Sequence, residues 1–156
     1  MKSMIDGVRI KVLRQFDDRR GWLIELFRED EIDIENYPVM SYISCTHPGV
    51  VRGPHEHIEQ SDYFCFIGPS NFRLYLWDNR PRSRTFGIHF TLDVGAKNKT
   101  SVIIPPGVVH AYKNIGTEEG IVYNAPNRLY AGNGRNEPVD ETRHEDDPNS
   151  KFKIAD

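Results

Sequence analysis

Apolar and polar residues alternate along short segments through most of this 156-residue chain. Phe72, Leu74 and Leu76, for example, are separated by single residues, and such runs end at glycine, proline or asparagine. Alternation with a period of two indicates β-strands, and many short strands separated by turns are typical of a sandwich or barrel. We therefore predict one all-β domain over residues 1–156, with strands at 8–13, 22–27, 39–45, 63–67, 72–77, 86–92, 100–104 and 120–125.

Two segments depart from this pattern. Residues 29–37 carry acidic residues at their start and are followed by Pro38, which predicts a short helix. Residues 132–156 are charged and poor in apolar side chains, which predicts a solvated or partly mobile tail. Cys45 and Cys65 each lie in an apolar run, so we expect two buried free thiols rather than a disulfide.

The charge balance argues against two classes of partner. The net charge of -3 and the pI near 6.1 provide no clustered positive charge for nucleic acid or an anionic membrane. Apolar stretches stay shorter than the roughly 20 residues that cross a bilayer, and the start of the chain does not resemble a secretory leader. We therefore expect a cytoplasmic protein that acts on a small molecule.

Two motifs place histidines on strands. His55 and His57 are two residues apart, so on a strand they share one face. A Pro-Pro-Gly turn at 105–107 leads His110 into the next apolar run. We predict that these three imidazoles line one pocket inside the β-structure.

Three imidazoles with the nearby carboxylate of Asp62 form a ligand set for a divalent transition metal. The spacing of His55, His57 and Asp62, followed by Pro-x-Gly-x-x-His-x-x-x-Asn ending at Asn114, is similar to that of metal-binding cupins. The same histidines could instead bind a substrate or water, with Gln60 in place of the acid. The sequence leaves both alternatives open.

Four segments in order also resemble motifs of the dTDP-4-dehydrorhamnose 3,5-epimerases. They are residues 18–25 (Asp-Arg-Arg-Gly-Trp-Leu-Ile-Glu), 49–55 (Gly-Val-Val-Arg-Gly-Pro-His), 78–87 (beginning Asp-Asn-Arg) and 104–110 (Ile-Pro-Pro-Gly-Val-Val-His). The resemblance extends over most of the chain. It implies a cupin barrel (a double-stranded β-helix, or jelly roll) and a homodimer. It also implies a metal-free isomerase of dTDP-rhamnose biosynthesis that moves a proton next to the 4-keto group of a nucleotide sugar.

The resemblance also implies catalytic roles. His55 would be the base, and Asp147 would orient it, because a hydrogen-bonded carboxylate fixes the tautomer of an imidazole. Tyr130 would return a proton on the opposite face, with Tyr123 as the alternative acid. The alternative partners of His55 are Asp140, Glu141 and His144.

The binding roles implied by the resemblance concern the nucleotide and the enolate. Arg52 would bind the diphosphate, and Arg20 and Glu25 would bind the nucleotide across a dimer interface. His110 would donate to the enolate oxygen. The other residues expected to bind substrate are His57, Gln60 and Tyr123.

Two positions differ from the family motifs. At the position of His57 the family commonly has glutamine. Two residues after the glutamine that matches Gln60, the family has lysine, whereas this chain has Asp62. Both changes move toward a metal site. Two other functions therefore stay open: a metal-dependent isomerase or dioxygenase, and a sugar-binding module without turnover. His47, His89 and His144 lack a motif, and we expect them in loops or on the surface.

Overall fold

A computed structural model of the chain describes residues 4–154. Within this range there are twelve strands: β1 (Arg9–Val12), β2 (Gln15–Asp18), β3 (Gly21–Ile24), β4 (Tyr42–Thr46), β5 (Val51–Glu56), β6 (Asp62–Gly68), β7 (Asn71–Asp78), β8 (His89–Gly95), β9 (Thr100–Ile104), β10 (Val108–Asn114), β11 (Gly120–Asn124) and β12 (Thr142–Arg143). One antiparallel sheet has the order β1-β9-β6-β11-β4 and a second has the order β12-β5-β10-β7-β8. The strands β2 and β3 form a separate hairpin. This arrangement confirms the predicted all-β jelly roll.

The main core lies between the two large sheets because alternate residues of each strand point inward. Phe64 and Phe66 of β6 pack against Leu74 of β7 and Tyr112 of β10. Each fully buried phenylalanine contributes roughly 2 to 3 kcal/mol of hydrophobic free energy. The intervening Cys65 faces the opposite way, into a second hydrophobic cluster on the outer side of the first sheet. We call this the outer cluster. The period of two therefore holds for both faces of β6.

Strands β5 and β10 pair so that His55 and His110 are cross-strand neighbours. Gly53 makes this close approach possible, since a Cβ there would lie 2.6 Å from the carbonyl oxygen of His110. Its φ of +84° also favours glycine. The Gly53 backbone thus fixes where the histidine two residues later points.

The predicted helix at 29–37 is wrong. The structure has two 3-10 turns instead, Glu29–Glu31 and Ile34–Asn36, joined by extended backbone. Neither turn has a side-chain cap, and nine residues form too few hydrogen bonds to offset the cost of nucleating an α-helix. Ile32 between them packs onto the outer cluster, which favours the extended path.

The C-terminal segment is mostly exposed, as predicted, but it is attached to the second sheet at a few points. Strand β12 pairs with β5, and the turn His144–Asp146 follows it. Phe152 is 8% exposed and packs edge-on against Trp77, with ring centroids 5.8 Å apart. A few apolar side chains in a charged segment are therefore enough to hold it on the second sheet.

The exposure of the cysteines and of three histidines agrees with the sequence predictions only in part. Cys65 is a buried free thiol, as predicted, but the free thiol of Cys45 is exposed because Ser44 and Thr46 take the inward positions of β4. His47 and His89 are exposed, as expected, whereas His144 is half-buried and lies 2.8 Å from Glu56. No helix within residues 4–154 has the length and hydrophobicity of a membrane span.

Candidate active site

His55, His57 and His110 converge on the inner face of the second sheet. The ring centroids of His55 and His110 are 4.5 Å apart, and that of His57 is 5.8 Å and 5.7 Å from them. His110 lies on β10, His55 lies opposite on β5, and His57 follows the end of β5. The structure therefore brings together the three imidazoles that the sequence predicts to share one pocket.

Asp62, the first residue of β6, reaches this cluster from the other sheet and is 1% exposed. Its Oδ2 lies 3.0 Å from Nε2 of His57 and 3.1 Å from Nε2 of His110. Its Oδ1 accepts hydrogen bonds from the side-chain amides of Gln60 (3.0 Å) and Asn124 (2.8 Å). Burial alone would raise the pKa of Asp62, but the neighbouring imidazoles hold that pKa far below its ordinary value. Asp62 is therefore a carboxylate.

The electrostatics of His55 and His57 differ although the rings are close. Burial, reinforced by His110, lowers the pKa of His55 to about 2, so its ring is neutral. Burial also disfavours a charged His57, but Asp62 and the carbonyl of Asp140 outweigh it and raise the pKa of His57 to about 9. A neutral imidazole thus stands beside a position that favours positive charge.

Asp140 ties the C-terminal segment to the loop that follows His57. Its carbonyl oxygen accepts a hydrogen bond from Nδ1 of His57. Its carboxylate accepts from the backbone N–H groups of residues 58–60 at 2.7, 2.9 and 2.8 Å. The first contact orients the His57 ring, and the other three hold the loop that follows it.

The structure corrects the assignment of Asp147 as the partner of His55. Asp147 is exposed, and its carboxylate accepts from the backbone N–H of Asn149 within a local turn. The acids near Nδ1 of His55 are instead Glu141 and Glu145, each at 3.9 Å. Pairing of β12 with β5 carries these two residues to His55 and directs the chain away before residue 147.

Glu141 is one of the alternatives that the sequence leaves open, whereas Glu145 is missed. Both carboxylates are beyond hydrogen-bond distance but close enough to stabilise an imidazolium at His55. Arg143 lies 3.1 Å from Glu145 and 3.6 Å from Glu141, so it holds the pair in place. The remaining alternative, His144, instead donates from Nε2 to the carboxylate of Glu56 at 2.8 Å.

A cavity of about 1280 Å³ opens in front of the histidines. Among the residues predicted from sequence, the cavity is lined by Arg52, His55, His57, Gln60 and Tyr130. The lining also includes Tyr42, Ser44 and Tyr112, which sequence reasoning missed. Tyr42 and Ser44 share a face of β4, so the period of two was the signal that could have identified them.

His110 and Asp62, each 1% exposed, lie behind the cavity wall rather than in its lining, so the predicted donation from His110 to the enolate oxygen is not supported. Asp147 and three further predicted residues also lie outside this cavity. Tyr123 is wrongly assigned to the site: Val122 and Asn124 take the inward positions of β11, so Tyr123 packs on the outer cluster. Arg20 and Glu25 lie at and beyond the exposed β2–β3 hairpin, where Arg20 pairs with Asp18 at 2.5 Å. That placement suits contact with a second subunit, and their roles stay predictions.

Together, the jelly roll and its histidine-lined cavity define the class of the protein as a small-molecule cupin. A family model for dTDP-4-dehydrorhamnose 3,5-epimerase matches residues 2–145, and the chain belongs to this family. The chain is therefore a sugar-nucleotide epimerase, which is an isomerase by class.

Two curated relatives and one solved structure agree with this membership. The chain is 40% identical to the probable low-salt glycan biosynthesis epimerase Agl13 of Haloferax volcanii over 128 residues, 81% of each chain. It is 36% identical to the spore coat polysaccharide biosynthesis protein SpsL of Bacillus subtilis, over 77% of this chain and 79% of the relative. A dTDP sugar isomerase from Desulfovibrio desulfuricans superposes with a TM-score of 0.83 at 21% identity, over 96% and 91% of the two chains. The last comparison confirms the cupin fold.

Proposed function

We propose that this chain epimerises a dTDP-linked 4-keto-6-deoxyhexose at a carbon next to the carbonyl, with His55 as the base. The observation that carries the proposal is the position of the His55 ring at the cavity wall, with two carboxylates 3.9 Å from its Nδ1. A neutral imidazole accepts a proton, and nearby carboxylates stabilise the imidazolium that forms. Family membership supports the substrate class.

The proposed step conserves protons and electron pairs. Because Nδ1 of His55 faces Glu141 and Glu145, Nε2 takes the proton from the ring carbon. The C–H electron pair then forms the double bond of an enolate, and the carbonyl π pair moves to oxygen. Tyr130 delivers its phenolic proton to the other face of that carbon, the carbonyl forms again, and both side chains recover their protonation states from water.

The cavity provides two sides for this transfer. His55 comes from β5 of the second sheet, whereas Tyr130 comes from the segment that follows β11 of the first sheet. Tyr130 is 58% exposed, so its hydroxyl can exchange with solvent between turnovers.

Arg52 supports a diphosphate-bearing substrate at the same cavity. Its guanidinium reaches the preceding strand β4, where it donates hydrogen bonds to Oγ1 of Thr46 (2.9 Å) and to the carbonyl oxygen of Cys45 (2.7 Å). A fixed guanidinium offers paired donors to phosphate oxygens.

We also propose a homodimer formed through the hairpin. The β2–β3 hairpin exposes Phe16, Trp22 and Leu23 by 42%, 56% and 59%, an apolar surface suited to a second subunit. The cytoplasmic location stays a prediction.

The proposed function is tested by turnover in D2O. We expect a dTDP-linked 4-keto-6-deoxyglucose to be converted to an epimer that carries one or two deuterium atoms, measured by mass spectrometry and proton NMR. A UDP-linked sugar of the same structure is the control for nucleotide preference. If the sugar nucleotide raises the melting temperature but acquires no deuterium, the chain is a binding module and the proposal is wrong.

A further inference from the structure

We propose that His57, Asp62 and His110 bind a divalent transition-metal ion beside His55. The distances from Asp62 to the two histidines support this site. Oδ2 of Asp62 is 3.0 Å and 3.1 Å from the two Nε2 atoms. Ligands about 2.1 Å from one ion and at right angles to each other are about 3 Å apart, so the two contacts fit a shared ion.

The hydrogen bonds of the two rings direct both Nε2 atoms toward Asp62. Nδ1 of His57 faces the carbonyl oxygen of Asp140, and Nδ1 of His110 lies 3.1 Å from the carbonyl oxygen of Val108. A carbonyl oxygen only accepts, so each Nδ1 carries a hydrogen. The ion would displace the second proton that Asp62 favours on Nε2 of His57, because a metal-bound imidazole is neutral. Backbone carbonyls commonly orient metal-binding histidines in this way.

Two buried atoms of this cluster are unsatisfied within residues 4–154. Oδ2 of Asp62 and Nε2 of His110 are inaccessible to solvent and make no hydrogen bond to a described residue, although they are 3.1 Å apart. A proton shared between them would need an aligned contact. His57 lies 3.0 Å from Oδ2 and compensates its charge, but Nε2 of His110 has no such partner. A cation held by Asp62 and both Nε2 atoms would satisfy all three groups.

The donor set indicates the type of ion and its role. Two imidazoles and one carboxylate suit a first-row transition metal such as Zn²⁺, Mn²⁺ or Fe²⁺ better than Mg²⁺ or Ca²⁺. His57 borders the cavity, and the ring of His55 lies 4.5 Å from that of His110. The role of the ion rests on the proposed function: the ion would stabilise the enolate oxygen while His55 takes the proton.

The donor atom of His55 lies within 4.8 Å of those of the other two histidines, so its exclusion from the ligand set can be tested. We expect His55→Asn to retain the metal, because Asp62 already completes a set of three ligands. Loss of the metal in His55→Asn would make His55 a ligand and overturn the three-ligand set, together with the role of His55 as base.

The test is metal analysis of the full chain, purified without added metal or chelator. We expect about one transition-metal ion per chain, and, after dialysis against EDTA, visible d–d bands when Co²⁺ is added. Asp62→Asn and His110→Gln should lose both signals, while His89→Gln, an exposed histidine on the outer face, should keep them. Circular dichroism checks that each variant is folded, and the Co²⁺ titration of the unmodified chain decides the question if a variant does not fold.

The proposal is overturned if the purified chain lacks a bound metal and Co²⁺ gives only the spectrum of the hydrated ion. Deuterium uptake distinguishes this failure from failure of the proposed function. If a chain that binds no metal still incorporates deuterium into the sugar, only the metal-site proposal is wrong. If a metal-loaded chain incorporates no deuterium into the sugar, the metal site is retained and the proposed epimerase mechanism is wrong.

Discussion

Replacing His55 with asparagine is expected to slow exchange of the sugar hydrogens next to the carbonyl by at least about 10³-fold. Asparagine keeps a polar side chain at the cavity wall but has no basic nitrogen. Binding of the nucleotide should change little, since Arg52 is unaltered.

The measurement is the rate at which deuterium enters the sugar in D2O, followed by proton NMR at saturating substrate. His47→Asn is the matched control because His47 lies outside the cavity, and its side chain is 74% exposed. A His55→Asn variant that exchanges at the rate of the control would remove His55 from the role of base.

Replacing Tyr130 with phenylalanine is expected to slow epimerisation by about 10²-fold or more while the exchange of hydrogen continues. His55 can still remove a proton and return a solvent-derived one to the same face. The sugar should therefore acquire deuterium with its configuration retained. Few other defects would separate exchange from inversion in this way.

Tyr123→Phe is the matched control for Tyr130. Tyr123 packs on the outer cluster, so we expect its loss of a hydroxyl to leave both exchange and epimerisation unchanged. The configuration of the product, read from the NMR coupling constants of the ring hydrogens, distinguishes the two variants. If Tyr130→Phe epimerises normally and Tyr123→Phe does not, the assignment of the acid is reversed.

The strands and the histidine cluster could be predicted because both follow from local sequence. The alternation of Phe72, Leu74 and Leu76 fixes which residues of β7 enter the core. The spacing of His55 and His57, with the turn before His110, fixes their common side of the fold. The same parity rule would have excluded Tyr123, because Val122 and Asn124 are buried on either side of it.

The partners of His55 could not be predicted from local sequence. Glu141 and Glu145 reach His55 only because β12 pairs with β5, a contact between residues nearly ninety positions apart in the chain. The segment that contains them is charged, and its attachment depends on Asp140 and Phe152. The error at 29–37 has a similar cause, since packing of Ile32 outweighs a weak local preference for helix.

The most direct test of the account is a crystal structure of His55→Asn bound to a dTDP-linked 4-keto-6-deoxyglucose. We expect the sugar carbon next to the carbonyl to lie within about 4 Å of the side chain at position 55, with the Tyr130 hydroxyl on the opposite face of the ring. We expect the diphosphate to contact Arg52. A sugar ring bound with its 4-keto group directed away from position 55 would contradict the account.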